Sequence, residues 1–328
     1  MLIVTGGAGF IGSNLVAGLE ALGLGPIVVC DRLGREEKWR NIAKRALWDI
    51  IPPDFLFPYL DRHAGEVSAV FHLGAISATT ETDGDAIVAN NIRLTLDLWE
   101  WCARTETRLI YASSAATYGD GSAGFDDNPS ADALGALRPL NLYGWSKHMV
   151  DRRILGAVAA GGRRPPQWAG LKFFNVYGPN EQHKGDMRSV IAKLWPQVST
   201  GQSARLFASD RPDYADGGQL RDFVWVGDCV DVMIWLYRNP GVGGLFNLGT
   251  GTARSWNDLA TALFTAAGRE PQIEYIPLPA HLAGKYQYFT EARMDRLRAA
   301  GYDRPFTSLE DGVGRYVRDH LSRPDPYR

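Results

Sequence analysis

The chain opens with an apolar run, Leu2-Ile3-Val4, followed at once by Thr5-Gly6-Gly7-Ala8-Gly9-Phe10-Ile11-Gly12 and a helical pattern from Gly9 to Leu22. Few folds use three glycines at that spacing between a strand and a helix. Gly6 permits a tight turn, Gly9 lets the backbone approach a pyrophosphate and Gly12 lets the helix pack closely on a sheet, while the helix N-terminus favours anionic oxygens. A glycine-rich turn without a ligand is the competing explanation. The agreement of strand, spacing and helix disfavours it.

The same rhythm continues through the first half. Short apolar runs at Ile27 to Cys30, Ala69 to Leu73 and Arg108 to Ala112 alternate with helical patterns such as Asn90 to Cys102. That alternation predicts an α/β fold, a Rossmann-like doubly wound parallel sheet; after Pro179 the pattern loosens, and a smaller mixed α/β substrate domain is expected there. We expect residues 1–175 to form the dinucleotide domain and 176–328 mainly the substrate domain. The boundary should be interwoven, because Phe223 to Val226 and Leu245 to Leu248 have the apolarity of strands that complete the first domain's sheet. Between these, the pattern predicts a strand at Leu171 to Asn175, a helix from about Met187 to Val198 and a loop around Ser209 to Gly218. Ser255 caps a helix through Ala267, and another helix follows Ser308.

Composition excludes several function classes. A formal charge of -2 over 328 residues gives no general attraction to nucleic acid or to an anionic bilayer. Cys30, Cys102 and Cys229 are far apart and form no CxxC, so neither a disulfide framework nor a zinc site is expected, and a reducing cytosol fits. No secretory signal pattern or run of about 18 apolar residues is visible. His72 reads as a packed strand-end residue, and without HExxH or clustered carboxylates no catalytic metal is expected.

The chemistry centres on Tyr143 and Lys147, four residues apart in a helix predicted to begin after Pro139 and to run to about Val158. That spacing sets a phenol and an ammonium on one face, where the charge can lower the phenol's pKa. Ser114 follows the strand Arg108 to Ala112, at the end where α/β sheets place ligands, and can donate to a developing oxyanion. Together with the glycine loop, these residues suggest hydride transfer at a carbon bearing a hydroxyl. A surface tyrosine–lysine pair is the plainer explanation, and the neighbouring motifs weigh against it. Asp31, at the end of the second strand, suits the ribose of NAD, whereas Arg32, Arg35 and Lys38 suit the 2'-phosphate of NADP; residue chemistry alone leaves the two open.

With these elements the chain resembles the extended short-chain dehydrogenase/reductase family of nucleotide-sugar enzymes. Asn175-Val176-Tyr177-Gly178-Pro179-Asn180-Glu181-Gln182-His183-Lys184-Gly185-Asp186-Met187, Arg221-Asp222-Phe223-Val224 and Gly284-Lys285-Tyr286-Gln287 are similar to its branch that inverts carbon 6 of an ADP-linked heptose, a step towards lipopolysaccharide. The resemblance implies an epimerase with tightly bound NADP, NAD being the alternative. It would oxidise carbon 6 to a transient ketone and re-reduce it on the opposite face, as a cytoplasmic homo-oligomer, a pentamer in this branch.

By the same resemblance Ser114, Tyr143, Lys147 and Lys184 are catalytic, Lys184 serving as the second acid/base group. Gly6, Gly9, Phe10, Ile11, Gly12, Asp31, Arg32, Lys38, Leu73, Gly74, Ala75, Ile76, Ser77, Asn90, Lys147, Val176 and Lys184 would line the cofactor. Ser114, Asn175, Asp186, Lys193, Phe207, Ala208, Ser209, Asp210, Arg221 and Tyr286 would line the sugar nucleotide, with Arg221 on the diphosphate.

Several positions depart from the family pattern: Pro53 stands for a cofactor-contacting lysine, Asp186 for a serine and Lys193 for a histidine, and the segment Ser209 to Gln219 is longer. Three rivals follow. A UDP-sugar 4-epimerase belongs to the same superfamily; a sugar-nucleotide dehydratase would carry Asp-Glu where Ala115 and Ala116 stand; and a non-catalytic NADP-binding redox sensor has no need of Ser114, Tyr143 and Lys147 together.

Overall fold

The structure, a computed structural model, describes residues 1–279 and 287–328. In chain order its strands are β1 (Leu2–Thr5), β2 (Ile27–Cys30), β3 (Asp49–Ile51), β4 (Ala69–His72), β5 (Arg108–Ser114), β6 (Trp168–Phe173), β7 (Asn175–Tyr177), β8 (Ala204–Phe207), β9 (Leu220–Trp225), β10 (Gly244–Leu248), β11 (Ala253–Ser255) and β12 (Ile273–Ile276). Seven form one parallel sheet in the order β10-β6-β5-β4-β1-β2-β3. The order reverses between β1 and β4, and Thr5 pairs with both Cys30 and His72. The loops after β1, β2 and β4 therefore leave the sheet at one edge, where open α/β sheets bind ligands.

Strands β1, β2 and β4 are buried along their whole length because helices cover both faces of the sheet. Val4, Val29, Phe71 and Ile110 pack on one face, and Ile3, Val28, Val70 and Leu109 on the other. Each such burial is worth about 1.5–3 kcal/mol. A third core, built on Ile191, Leu206, Phe223, Leu263 and Tyr316, lies under the smaller sheets.

The second half contributes to both units. β10 pairs with β6 along its full length, and the helix Val226–Arg238 packs on the helix Phe10–Ala21. Phe223 to Val226, however, does not complete the large sheet. β9 lies between β7 and β11 in a separate three-stranded sheet, and Val226 opens the next helix. Apolarity at Phe223 reports burial, here against Trp256 at 5.0 Å between ring centroids, but it does not say which strand lies alongside.

Other boundaries move for local reasons. The strand expected at Leu171 to Asn175 is divided between β6 and β7. The helix expected from Met187 begins at Val190, because Ser189 caps it by accepting a hydrogen bond from Ala192 N. The Asn90 to Cys102 helix is the centre of a longer helical run from Gly84 to Thr105, with a π-helical stretch at Val88–Arg93. Ser255 forms a full capping box with Asp258, and Ser308 caps the helix Leu309–Tyr316. Among the described residues no helix is long and apolar enough to cross a membrane.

Candidate active site

The cradle after β1 is shaped by close approach. Gly6 has φ +66°, and a Cβ there would lie 2.6 Å from Gly74 N, so the loops after β1 and β4 touch only because residue 6 lacks a side chain. The helix Phe10–Ala21 starts at Gly9 with no side-chain cap and no acidic residue in its first turn. Its N-terminal N–H groups and dipole are thus available to an anion, which fits a dinucleotide pyrophosphate.

Asp31 closes the adjoining side. Its carboxylate accepts from Ala8 N at 2.9 Å and Arg32 N at 2.8 Å, and pairs with Lys38 Nζ at 2.6 Å. Arg32 instead turns to exposed Asp54 at 3.0 Å. The acid and the lysine meant for opposite cofactor preferences are therefore each other's partners.

Leu73 to Ser77 forms the opposite wall. His72, directly before it, is fully buried, with Nδ1 2.7 Å from Thr5 Oγ1 and Nε2 2.9 Å from Thr95 Oγ1. Thr95 Oγ1 donates to Asn91 O, so His72 donates through Nε2 and accepts at Nδ1. Burial, reinforced by the charge of Lys147, pushes its pKa down to about 3, which keeps it a neutral structural residue. Asn91 binds Ile76 through both amide atoms and reaches Ser146 Oγ at 3.1 Å. Neighbouring Asn90 donates to Ala86 O within its own helix. Sequence reasoning singled out Asn90 and missed Asn91; the adjacent pair of asparagines was the available signal, and only the fold shows that Asn91 is the buried one.

Ser114 ends β5, and its Oγ accepts from Ala116 N at 3.1 Å, leaving the hydroxyl proton free to donate. The helix Leu142–Ala159 is capped by Asn141 and lies so close to this segment that a Cβ on Gly144 would stand 2.6 Å from Ala116 O. Tyr143 thereby faces Ser114. Burial raises the phenol's pKa and the hydrogen bond from Ser114 opposes the rise. The expected depression by Lys147 does not appear. Lys147 is itself 2% exposed, burial lowers its pKa to about 8, and it has no hydrogen bond or ion pair among the described residues.

Lys184 lies in the turn Gln182–Met187, which bends at Gly185. The turn is anchored by Glu181, which accepts from Ser189 Oγ at 2.6 Å and Tyr316 Oη at 3.0 Å, and by Asn180, which donates to Ser13 Oγ at 2.9 Å. The Lys184 ammonium sits 5.3 Å from the Phe10 ring centroid, at the mouth of the cradle. Burial lowers its pKa and Glu181 opposes that fall. Among the described residues no hydrogen bond or ion pair joins Lys184 to Ser114, Tyr143 or Lys147.

The expected substrate residues form a looser group. Arg221 is buried, donates to Leu220 O at 2.8 Å and to Gln287 O, and lies 5.7 Å from the Trp256 ring centroid. Phe207 ends β8; Asp210, three residues on, is held by Tyr288, whose Oη accepts from Asp210 N at 3.0 Å and donates to its carboxylate. Asn175 Oδ1 accepts from Thr290 Oγ1 at 3.4 Å. Asp186 and Lys193 are exposed and form no ion pair among the described residues. Tyr286 lies outside the described residues.

A dinucleotide cradle at the switch point, with a serine, a tyrosine and a lysine at the end of β5, defines a nicotinamide-dependent enzyme acting on a hydroxyl-bearing carbon. The sequence matches the profile of the NAD dependent epimerase/dehydratase family over residues 2–249, and the chain belongs to that family. It is 54% identical over 330 residues, covering all of both chains, to the ADP-L-glycero-D-manno-heptose-6-epimerase of Nitratidesulfovibrio vulgaris (strain DP4). It is 44% identical over 335 residues, again covering all of both chains, to the Fusobacterium nucleatum protein of the same name. Among solved structures it is similar to the Helicobacter pylori ADP-L-glycero-D-manno-heptose-6-epimerase, with a TM-score of 0.78 at 26% identity, covering 97% of this chain and 95% of that one. The Thermus thermophilus UDP-glucose 4-epimerase in complex with NAD shares the fold, with a TM-score of 0.72 at 24% identity over 95% of this chain and 96% of that one.

Proposed function

We propose that the protein inverts carbon 6 of ADP-D-glycero-β-D-manno-heptose to give the L-glycero epimer. The observation that carries this reading is the Ser114, Tyr143 and Lys147 group at the end of β5, in a chain 54% identical from end to end to an enzyme of that name. A dehydratase would need an acidic pair after Ser114, where Ala115 and Ala116 stand.

The cofactor, when bound in the cradle, supplies a reversible acceptor for the hydride of carbon 6. Ser114 donates a hydrogen bond to the sugar's reacting oxygen, and Tyr143 exchanges the hydroxyl proton with it. Lys147, on the same helix face, orients the nicotinamide ribose. Inversion requires the ketone to turn over before reduction, so a second acid/base group must meet the oxygen in its other orientation. Lys184 takes that role. Its pKa is lowered while that of Tyr143 is raised, and such a divergence separates base from acid.

Lys38 and Arg32 favour NADP over NAD, with Lys38 released from Asp31 to meet a 2'-phosphate. Residues 1–175 serve mainly the cofactor and 176–328 mainly the sugar nucleotide, with Arg221 on its diphosphate. A cytoplasmic homo-oligomer, with a pentamer as the assembly to test, belongs to the same reading.

The direct test is incubation of the purified protein with ADP-D-glycero-β-D-manno-heptose and no added cofactor, followed by chromatographic separation of the two epimers. Conversion to an equilibrium mixture without net NADPH release is the expected result. No conversion, even with NADP or NAD supplied, would overturn the assignment.

A further inference from the structure

A second polar cluster lies behind the tyrosine and lysine, and the chemistry above does not use it. Tyr143, Lys147 and Asp151 follow one another at four-residue intervals on the helix Leu142–Ala159 and share one face. The Asp151 carboxylate, 0% exposed, accepts from Ser113 Oγ at 2.7 Å and Tyr111 Oη at 3.2 Å and pairs with Lys172 Nζ at 3.0 Å. Lys172, equally buried, donates to Thr117 Oγ1 at 2.6 Å, and Thr117 Oγ1 donates to Ser114 O at 2.8 Å. A continuous path therefore runs from the helix of Tyr143 and Lys147, through the ion pair, to the backbone of Ser114.

A buried ion pair is a poor way to gain stability, since well-packed apolar residues of similar volume often serve as well or better. We propose that Asp151 and Lys172 act together as positioning residues, registering the Tyr143–Lys147 helix against Ser114 and holding a balanced pair of charges behind the reacting groups. Asp151 supplies the nearby anion that opposes deprotonation of buried Lys147, and Lys172, 3.0 Å from that carboxylate, balances its charge. The other titratable groups facing the pair do not replace either member. His72, on β4, is neutral; His148 is held down to about 4 by burial and by Lys172; Tyr111 and Tyr118 are pushed up by burial and by Asp151 or Asp127; and Arg138 and Arg152 act on His148 as more distant charges.

This inference rests on the proposed epimerase reading, and wild-type turnover is the control that separates the two. The measurement is the pH dependence of kcat in wild type, Asp151→Asn, Lys172→Met and the double variant. Removing the carboxylate alone should move the acidic limb down by about one pH unit, and removing the ammonium alone should move it up by about as much. The double variant, neutral like the native pair, should return the limb to the wild-type position with a lower kcat. Lower rates with an unmoved limb in both single variants, or shifts of the same sign, would mean a structural brace and overturn the proposal. Should a single variant fail to fold, Thr117→Val cuts the path to Ser114 without leaving a charge unpaired. It should lower kcat about tenfold at unchanged KM, and an unchanged kcat would equally overturn the proposal. Absence of turnover in wild type would count against the epimerase reading instead.

Discussion

Asn91 grips Ile76 at both of its backbone polar groups: Ile76 N donates to Asn91 Oδ1 at 2.9 Å, and Asn91 Nδ2 donates to Ile76 O at 2.9 Å. The same amide nitrogen reaches Ser146 Oγ, which donates to Tyr143 O at 2.7 Å. One fully buried side chain thus fixes the wall of the dinucleotide cradle relative to the helix of the tyrosine.

Replacing Asn91 with leucine should therefore loosen cofactor binding as well as the fold. It leaves the Ile76 N–H and C=O without their partner, at a cost of about 1–3 kcal/mol. The expected outcome is a lower unfolding midpoint in urea and a reduced dinucleotide content in the purified protein. An unchanged dinucleotide content would show that the clamp serves stability alone.

Tyr143→Phe and Lys184→Met separate the two proposed proton-handling roles. Each should lower kcat by about 10²–10⁴-fold while leaving bound cofactor and sugar-nucleotide affinity near wild type. Methionine at 184 can keep the packing against Phe10. Normal epimerisation by Lys184→Met would reduce Lys184 to an anchoring residue.

Local features were the most legible in the sequence. The limits of β1 and β2, the Ser255 and Ser308 caps and the helix carrying Tyr143 depend on residues close in the chain, and the pattern places them well. Pairing over distance was not legible. Phe223 gave no sign that β9 leaves the large sheet, and the short edge strand β3 carries only three residues, two of them exposed. At the site, the glycine loop and the Tyr143–Lys147 spacing announced themselves, whereas Asp151 gained meaning only when β6 brought Lys172 within 3.0 Å. A carboxylate eight residues after a tyrosine was visible, but the partner that gives it a role lies 21 positions beyond Asp151 in the chain.

On the proposed NADP reading, cofactor preference turns on Lys38, because its ion pair with Asp31 at 2.6 Å has to give way before the ammonium can meet a 2'-phosphate. Lys38→Ala should weaken NADP binding about tenfold or more and NAD binding little, as isothermal titration of cofactor-stripped protein would measure. Equal losses for the two dinucleotides would remove Lys38 from the 2'-phosphate site.

Lys147 sets stability against function. Burial lowers its pKa from 10.5 to about 8, so at neutral pH the folded protein holds a desolvated ammonium that the unfolded chain keeps in water. For a group depressed on folding, the favourable contribution is complete above the unfolded value and is lost as pH falls through the folded one; here that window runs from about 10.5 down to about 8. Lys147→Met, which removes the charge and keeps much of the volume, should therefore be more stable than wild type at pH 7, by roughly 3 kcal/mol. The advantage should shrink as pH rises through that window, while turnover is lost at every pH. Urea unfolding of both proteins at pH 7 and pH 10 decides the matter, because equal stabilities at pH 7 would mean that the buried ammonium carries no such cost. A substitution that stabilises the fold and abolishes activity is what the proposed catalytic role of Lys147 predicts, because its buried ammonium has no hydrogen bond or ion pair among the described residues to offset its desolvation.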